Sequence, residues 1–153
     1  MASEHAATGL GGPKEMTLGV MGGGQLGRMF AHAAQQMGFF TAVLDPDATS
    51  PAGRISHHHV QTAYTDAEGL ARLAAVSAAI TTEFENVPAD SLSLLADIKP
   101  VRPSAHSVAI AQHRVSEKNF LKSAGLPVAP FAVIDSDADI PADGGDIYPA
   151  ILK

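Results

Sequence analysis

A run of glycines near the start of the chain has the spacing of a phosphate-binding turn. Residues 22–27 read G-G-G-Q-L-G and match the pattern G-x-G-x-x-G. The run lies between an apolar stretch typical of a strand and a stretch with helical periodicity, which is the context that gives this pattern meaning. Glycines let the backbone approach a ligand, and the start of the helix offers unpaired N–H groups to an anion. The pattern therefore predicts a phosphate-binding turn, with a tight turn that binds no ligand as the alternative.

Asp45 stands at the end of the second predicted strand, where a dinucleotide-binding domain places the acid that binds ribose. With this residue, the glycine pattern fits a dinucleotide-binding module. Pro46 and Asp47 follow directly, however, and this combination is equally typical of a turn. Asp45 alone does not distinguish a dinucleotide from another phosphorylated ligand.

Two carboxylates follow the fourth predicted strand. Glu83 and Glu85 belong to the segment T-T-E-F-E-N-V-P at residues 81–88, and residues two apart on an extended segment point to the same side. The carboxyl ends of parallel strands face the ligand crevice of an open sheet. Two carboxylates there would repel a pyrophosphate, but they suit a ligand with hydroxyl and amine groups and one terminal phosphate at the glycine turn. The alternative is a solvated acidic loop before the next helix.

Histidines and lone basic residues carry weaker signals. His57, His58 and His59 are consecutive, so on a strand only the first and third could share a metal ion. No carboxylate or cysteine has a matching local spacing, and we expect surface or edge-strand histidines, with a metal site as the alternative. Arg114 and Lys153 are lone basic residues, which are usually solvated.

The elements that must position these residues form an alternating pattern. Short apolar runs alternate with amphipathic stretches from residue 16 onward, which is typical of βα units in an α/β protein with a parallel sheet. Strands are predicted at Thr17–Met21, Thr41–Leu44, His58–Thr62, Ala78–Thr82, around Val101, at Phe131–Ile134 and at Tyr148–Lys153. Helices are predicted at Gln25–Met37, from a cap formed by Thr65 and Glu68 through Val76, at Ala89–Ala96, from a Ser104 cap through Gln112, and at Val115–Ala124. One face of the first helix carries Leu26, Met29, Phe30, Ala33 and Met37 at helical spacing.

The amino-acid composition excludes several classes of protein. Ten Lys and Arg residues against 16 Asp and Glu residues give a net charge of −6, which disfavours binding to a nucleic-acid backbone. No apolar run approaches the ~20 residues of a membrane span, and the first residues do not resemble a secretory signal. The chain has no cysteine, so it has no thiolate zinc site and no cysteine nucleophile. We expect a soluble cytoplasmic protein with a flexible tail at residues 1–15, a sheet domain at 16–112 and the truncated beginning of a second domain at 113–153.

Seven segments, taken together and in order, resemble one family. They are residues 19–29, 44–47, 81–88, 101–104, 111–118, 125–131 and 148–153. They are similar to the N5-carboxyaminoimidazole ribonucleotide synthetases, which are ATP-grasp enzymes of bacterial and fungal purine synthesis. The combination of G-G-G-Q-L-G-R-M with E-F-E-N-V-P is specific. Two features depart from the family: His113, where an acidic residue is more usual, and residues 135–146, which are unlike the usual helix.

The resemblance implies a Rossmann-like pre-ATP-grasp domain that binds aminoimidazole ribonucleotide rather than a dinucleotide. Gly24, Gln25, Leu26 and Glu83 would contact that nucleotide, and we expect Glu85 to take part. Two alternatives stay open. One is a dinucleotide-binding Rossmann module, and the other is an ATP-grasp phosphoribosylglycinamide formyltransferase, whose counterpart of Gln25 would be acidic.

The resemblance also implies ATP and magnesium as cofactors. Arg114 and Lys153 would contact ATP, and the magnesium ligands, the glycine-rich lid and the catalytic residues are expected beyond Lys153. The family uses magnesium-ATP to activate bicarbonate as carboxyphosphate, and the exocyclic amine of the nucleotide captures the carboxyl group. The full-length protein would be a homodimeric ligase with no nucleic-acid or membrane partner, and this chain alone is expected to be inactive.

Overall fold

The computed structural model describes residues 15–140 and 147–151. Almost all of the predicted tail, as well as Lys153, lies outside the described residues. The chain divides into two compact units, Met1–Ala109 and Ile110–Lys153.

The first unit contains a five-stranded parallel sheet, which confirms the predicted α/β fold. The strands are β1 (Thr17–Met21), β2 (Phe40–Leu44), β3 (His58–Val60), β4 (Ala79–Thr82) and β5 (Val101–Arg102). They pair in the order β3-β2-β1-β4-β5, with every neighbouring pair parallel. The α-helices among the described residues are α1 (Gln25–Gln36), α2 (Ala67–Val76), α3 (Ala89–Ala96), α4 (Ala105–Gln112) and α5 (Arg114–Ser123).

Both faces of the sheet are covered, because successive strand residues point to opposite sides. Val20 and Met21 of β1 are fully buried in different clusters. Val20 packs with Val43 and with Phe30 of α1. The cluster around Met21 is larger and includes residues of α2, α3 and α4. The sheet is therefore the middle layer, and burial of apolar surface on both faces is its main stabilisation.

The apolar face of α1 that the sequence shows is largely exposed. The side of α1 against the sheet consists of small residues, namely Gly27, Ala31 and Ala34, which are all buried. Close approach of the helix excludes larger side chains there, since a Cβ on Gly27 would lie 2.4 Å from the Gly22 carbonyl oxygen. The large apolar residues on the outer side are Leu26, Met29 and Met37, with exposures of 58%, 65% and 69%.

The two predicted helix caps have different outcomes. Ser104 caps α4, and its Oγ accepts a hydrogen bond from the Ser107 amide at 3.1 Å. The prediction of Thr65 as the cap of α2 is wrong. The helix begins one residue later, and Asp66 is the cap, because its carboxylate accepts the Gly69 amide at 2.9 Å.

The second unit is sparsely packed within the described residues. It contains α5 and a short 3-10 turn at Asp137–Asp139, and none of its described residues is buried. The strand predicted at Phe131–Ile134 does not form, and the described part of the segment after Tyr148 is not a strand either. A strand needs a neighbour for its backbone N–H and C=O groups, and no described segment pairs with these two. Over the described residues as a whole, no helix has the length and apolarity of a membrane span.

Candidate functional site

The glycine turn and the acidic segment meet where the direction of strand progression reverses. The chain moves from β1 outward to β2 and β3, then returns to place β4 on the other side of β1. In open parallel sheets, ligands bind in the crevice at such a switch point, outside the carboxyl ends of the strands. Gly22 directly follows β1, and Glu83 directly follows β4. Both sequence signals therefore lie at the same edge of the sheet.

The glycine turn presents the uncapped start of α1. Gly22 has a φ of 108°, a backbone conformation that residues other than glycine rarely adopt. Gly24 is the N-cap residue and gives no side-chain cap. The first amides of a helix have no acceptor within the helix, so the N–H groups of Gln25 and Leu26 are free for an anion. The partial positive charge of the helix start adds to this attraction.

Glu83 reaches the glycine turn from β4. Its side chain is half-buried, and Oε1 accepts a hydrogen bond from the Gly24 amide at 3.2 Å. Its own amide donates to the carbonyl of Met21 at 3.3 Å. The structure thus brings Glu83 and Gly24, two of the predicted site residues, into direct contact.

Glu85 has a different environment from Glu83. We predicted an extended segment on which the two side chains share one side, and the extended segment is wrong, because β4 ends at Thr82 and residues 83–87 form bends and turns. Alternation of side chains applies only where the backbone stays extended. Glu85 lies in the turn and is exposed.

Asp45 faces inward and holds the glycine turn. Its side chain is 7% exposed. Oδ2 accepts hydrogen bonds from the Gly23 amide at 2.6 Å and from the Tyr64 hydroxyl at 2.7 Å, while Oδ1 accepts the Asp47 amide at 2.8 Å. Both carboxylate oxygens of Asp45 therefore bind groups of the protein itself. The hydrogen bond from the Asp47 amide is typical of an aspartate in a turn, rather than of one that binds ribose.

Tyr64 was missed in the sequence reasoning. It lies between β3 and α2, again at the carboxyl edge of the sheet. Its partial burial, together with its hydrogen bond to Asp45 and the negative charges of Asp45 and Glu83, raises its pKa well above the ordinary value. The one available signal was an aromatic hydroxyl that closely follows a strand, which does not by itself point to Asp45.

The consecutive histidines have structural contacts. His57 Nδ1 lies 3.1 Å from the Thr41 amide nitrogen, and its ring packs edge-on against Phe40 at 4.7 Å between centroids. His59 Nε2 lies 3.1 Å from the Asp45 carbonyl oxygen. Across residues 15–140 and 147–151, no three His, Cys, Asp or Glu side chains gather as metal ligands would.

Arg114 is the first residue of α5, in the second unit. Its guanidinium pairs with Glu117, and 60% of its side chain is exposed. His113 precedes it as the N-cap, with Nδ1 accepting the Ser116 amide at 3.3 Å. A carboxylate could make the same cap, so the departure at His113 keeps the local structure.

Comparisons with known proteins agree with this arrangement. A family model of the ribonucleotide synthetase preATP-grasp domain matches residues 15–112. An N5-carboxyaminoimidazole ribonucleotide synthase from Brucella melitensis is 43% identical over 121 residues, covering 79% of this chain and 33% of that protein. Its counterpart from Staphylococcus aureus is 39% identical over 138 residues, covering 90% of this chain and 37% of that protein.

A solved structure gives the same picture. The N5-carboxyaminoimidazole synthase of Aspergillus clavatus, in complex with ADP and 5-aminoimidazole ribonucleotide, is 31% identical with a TM-score of 0.76, over 89% of this chain and 37% of that one. The chain spans about a third of the length of the curated relatives it matches. The matched residues 15–112 include the sheet, the glycine turn and Glu83. The resemblance seen in the sequence is confirmed, and the chain belongs to the family of the ribonucleotide synthetase preATP-grasp domain.

Proposed function

We propose that residues 15–112 are the nucleotide-binding domain of an N5-carboxyaminoimidazole ribonucleotide synthase and bind aminoimidazole ribonucleotide. The observation that carries this proposal is the contact between Glu83 and Gly24 at the switch point, 3.2 Å from Oε1 to the amide nitrogen. It places a carboxylate beside a helix start that suits one phosphate. A mononucleotide with hydroxyl and amine groups uses both features, whereas the second phosphate of a dinucleotide would meet the charge of Glu83.

Each predicted residue has a distinct part in this binding. The free amides of Gln25 and Leu26 would hold the phosphate, and Gly24 would let it approach the backbone. Glu83 would accept a hydrogen bond from a hydroxyl or from the amine. Glu85 is exposed and would lie at the outer margin of the ligand. These residues bind and orient the nucleotide, and such positioning is a large part of catalysis between two bound reactants.

The full-length protein would be an ATP-dependent ligase of purine biosynthesis that acts in the cytoplasm as a homodimer. ATP with magnesium would supply the phosphoryl group that activates bicarbonate, and the amine of the nucleotide would then receive the carboxyl group. Arg114 is exposed at the start of α5 and fits a role as a phosphate contact, since only Glu117 pairs with its guanidinium among the described residues. Lys153 is proposed for the same ligand from the resemblance alone. The described residues offer no magnesium cluster, so the metal ligands would come from elsewhere in the full-length protein.

The second unit would be the beginning of the ATP-grasp domain. None of its described residues is buried, and several large apolar side chains are exposed, namely Phe120, Leu126, Val133, Ile134, Ile140, Tyr148 and Ile151. Apolar surface of this extent is usually covered by another part of a protein. On this proposal, the remainder of the ATP-grasp domain covers it, and the chain of 153 residues alone does not turn over ATP.

A titration of three ligands tests the proposed substrate. Aminoimidazole ribonucleotide, its dephosphorylated nucleoside and NAD are each added to the chain in a calorimeter. We expect the ribonucleotide to bind at least about tenfold more tightly than the nucleoside, because the phosphate contact is lost in the latter. NAD should not bind measurably. Binding of NAD with no response to the ribonucleotide would overturn the proposal in favour of the dinucleotide module.

A further inference from the structure

The hydroxyl of Tyr64 connects two parts of the sheet edge that are distant in sequence. It donates to Asp45 Oδ2 at 2.7 Å, at the end of β2. The ring of Tyr64 packs edge-on against the ring of Phe84, with 5.8 Å between centroids and an angle of 63°. Phe84 is the residue after Glu83, so Tyr64 contacts both the buried carboxylate of Asp45 and the segment that bears the half-buried Glu83.

The buried carboxylate in turn determines how the glycine turn is held. Asp45 Oδ2 accepts the Gly23 amide at 2.6 Å, and the Gly23 carbonyl accepts the Ala52 amide at 2.8 Å. A Cβ on Gly23 would lie 2.6 Å from Ser50 and 2.8 Å from the Cβ of Asp45. The two peptide groups that meet at Gly23 are thus both held: Asp45 accepts the N–H of the first, which points into the protein, and Ala52 donates to the C=O of the second.

The orientation of Gly23 decides where the following amides point. Gly24 and the first residues of α1 continue directly from it, and the N–H groups of Gln25 and Leu26 are those left for an anion. Rotation of the peptide groups on either side of Gly23 would redirect these N–H groups, and a hydrogen bond weakens steeply once its donor points well away from the acceptor. A phosphate site at this turn therefore depends on the carboxylate of Asp45 and on whatever holds that carboxylate in place.

We propose that Tyr64 is a positioning residue of the nucleotide site. It acts through Asp45 on the Gly23 amide, and through Phe84 on the segment that carries Glu83. This inference rests on the proposed function, in which the phosphate binds at the start of α1. It adds a residue that acts on the site through Asp45, whose buried carboxylate needs hydrogen-bond donors such as the Tyr64 hydroxyl.

The deciding variant is Tyr64→Phe, which keeps the aromatic ring against Phe84 and removes only the hydroxyl. Tyr148→Phe is the matched control, since Tyr148 is half-exposed in the second unit. Three quantities are measured: the hydrogen-exchange rate of the Gly23 amide by NMR, the affinity of the chain for aminoimidazole ribonucleotide, and its affinity for the dephosphorylated nucleoside. Chemical unfolding establishes that each variant is folded under the conditions used.

We expect the Gly23 amide of Tyr64→Phe to exchange about tenfold faster, because its acceptor has lost a fixing hydrogen bond. Affinity for the ribonucleotide should fall about tenfold, while affinity for the nucleoside changes less than about twofold. Tyr148→Phe should match the original chain in all three. An unchanged Gly23 exchange rate overturns the proposal, as does an equal loss for the ribonucleotide and the nucleoside, which would indicate a general loosening.

Asp45→Asn is a second test of the same proposal, and it remains available if Tyr64→Phe does not fold. The asparagine side chain keeps an acceptor oxygen for the Gly23 amide, but it removes the negative charge to which the Tyr64 hydroxyl donates. We expect faster Gly23 exchange in this variant and, in the double variant, less than the sum of the two single effects. If the effects of the two single variants add fully in the double variant, Tyr64 does not act through Asp45. If the original chain binds no ribonucleotide, the proposed function fails, whereas the Gly23 exchange rates still decide whether Tyr64 positions the turn.

Discussion

Glu83 accepts a hydrogen bond from the Gly24 amide at 3.2 Å, although 59 residues separate them in the chain. The contact exists because β1 and β4 are neighbours and end at the same edge of the sheet. At 3.2 Å the bond is longer than the 2.7–2.9 Å typical of charge-assisted hydrogen bonds. The bond places the Glu83 carboxylate beside the start of α1, where a bound ligand would meet it.

Replacement of Glu83 by glutamine tests this carboxylate as a nucleotide contact. Glu83→Gln keeps the shape and removes the charge, and a hydrogen bond to a charged group contributes roughly 1.5–3 kcal/mol. Affinity for aminoimidazole ribonucleotide should fall about ten- to a hundredfold, measured by calorimetry. Glu68→Gln, on the exposed first turn of α2, is the control for loss of one negative charge.

The same titration separates the substrate classes. If the site bound a dinucleotide, Glu83→Gln would relieve repulsion of the pyrophosphate, so that NAD affinity would stay level or rise. Asp45→Asn would then abolish NAD binding, since a dinucleotide site depends on this acid for the ribose. Glu85→Gln completes the set, and we expect a smaller loss than for Glu83→Gln because Glu85 is exposed in the turn.

Gly24→Val should impair binding far more than folding. Gly24 has φ −67° and ψ −165°, which a residue with a side chain can adopt. The nearest atom to a new Cβ is Glu83 Oε1 at 3.0 Å, the mobile end of a side chain. The added methyl groups would displace that carboxylate and cover the amides of the turn, so affinity for the ribonucleotide should fall at least about tenfold. Unchanged affinity would place the phosphate site elsewhere.

Gly27→Ala should have the opposite effect and impair folding. Alanine is favoured over glycine within a helix by about 1 kcal/mol. The new Cβ would, however, lie 2.4 Å from the Gly22 carbonyl oxygen, a backbone atom that moves only with β1 and the glycine turn. Overpacking of this kind costs typically 1–3 kcal/mol, so we expect a net loss in the free energy of unfolding. Ala33→Gly, on the exposed face of α1, measures the propensity difference alone.

The regular part of the fold was predictable because its signals are local. The apolar run Thr17–Met21 and the helix Ala89–Ala96 were placed with the bounds that the structure shows. The buried face of α1 was not, because periodicity identifies apolar residues but does not say how closely a helix approaches its sheet. Gly27 allows the helix to lie close to the sheet. Of the large residues on the predicted apolar face, Phe30 packs against the sheet, whereas Leu26, Met29 and Met37 are exposed. The strand predicted at Phe131–Ile134 does not form for a related reason, since a strand depends on a partner and not only on its own residues.

The candidate site divides in the same way. The glycine turn and Glu83 were predicted because each lies directly after a strand, and strand ends in a parallel sheet meet at one edge. The pairing of Asp45 with Tyr64 was not predictable, because it depends on the register of β2 against β3, in which Ala42 lies opposite His58. No periodicity encodes that register in so short a strand. Arg114 was identified only through the resemblance, and its exposed position at the start of α5 gives no independent signal.

Asp66 should make stability depend on acidic pH. Hydrogen bonds from the Thr62 hydroxyl and the Gly69 amide hold its pKa below the ordinary value of 3.8. A carboxyl whose pKa is lower in the folded state stabilises the fold above the unfolded pKa, and this contribution disappears as the pH falls through the folded pKa. Asp66→Asn, which retains a capping oxygen, should therefore be less stable than the original chain at pH 7 and converge with it at acidic pH. Unfolding curves collected from neutral to acidic pH measure this, and parallel curves would contradict the assignment.

Tyr64 should give the complementary dependence at alkaline pH. Burial, followed by the hydrogen bond to Asp45 and the nearby negative charges, raises its pKa above the ordinary value of 10. Above pH 10 the unfolded chain therefore loses the phenolic proton while the folded chain still holds it, and the free energy of unfolding falls as the pH rises. Tyr64→Phe removes this titration, so its stability should decline less than that of the original chain between pH 9 and 11. Tyr148→Phe is the control, because it also removes one tyrosine hydroxyl and because lysine titration is common to all three proteins. If Tyr64→Phe loses stability with pH as steeply as Tyr148→Phe does, the hydroxyl is not held by Asp45 in solution.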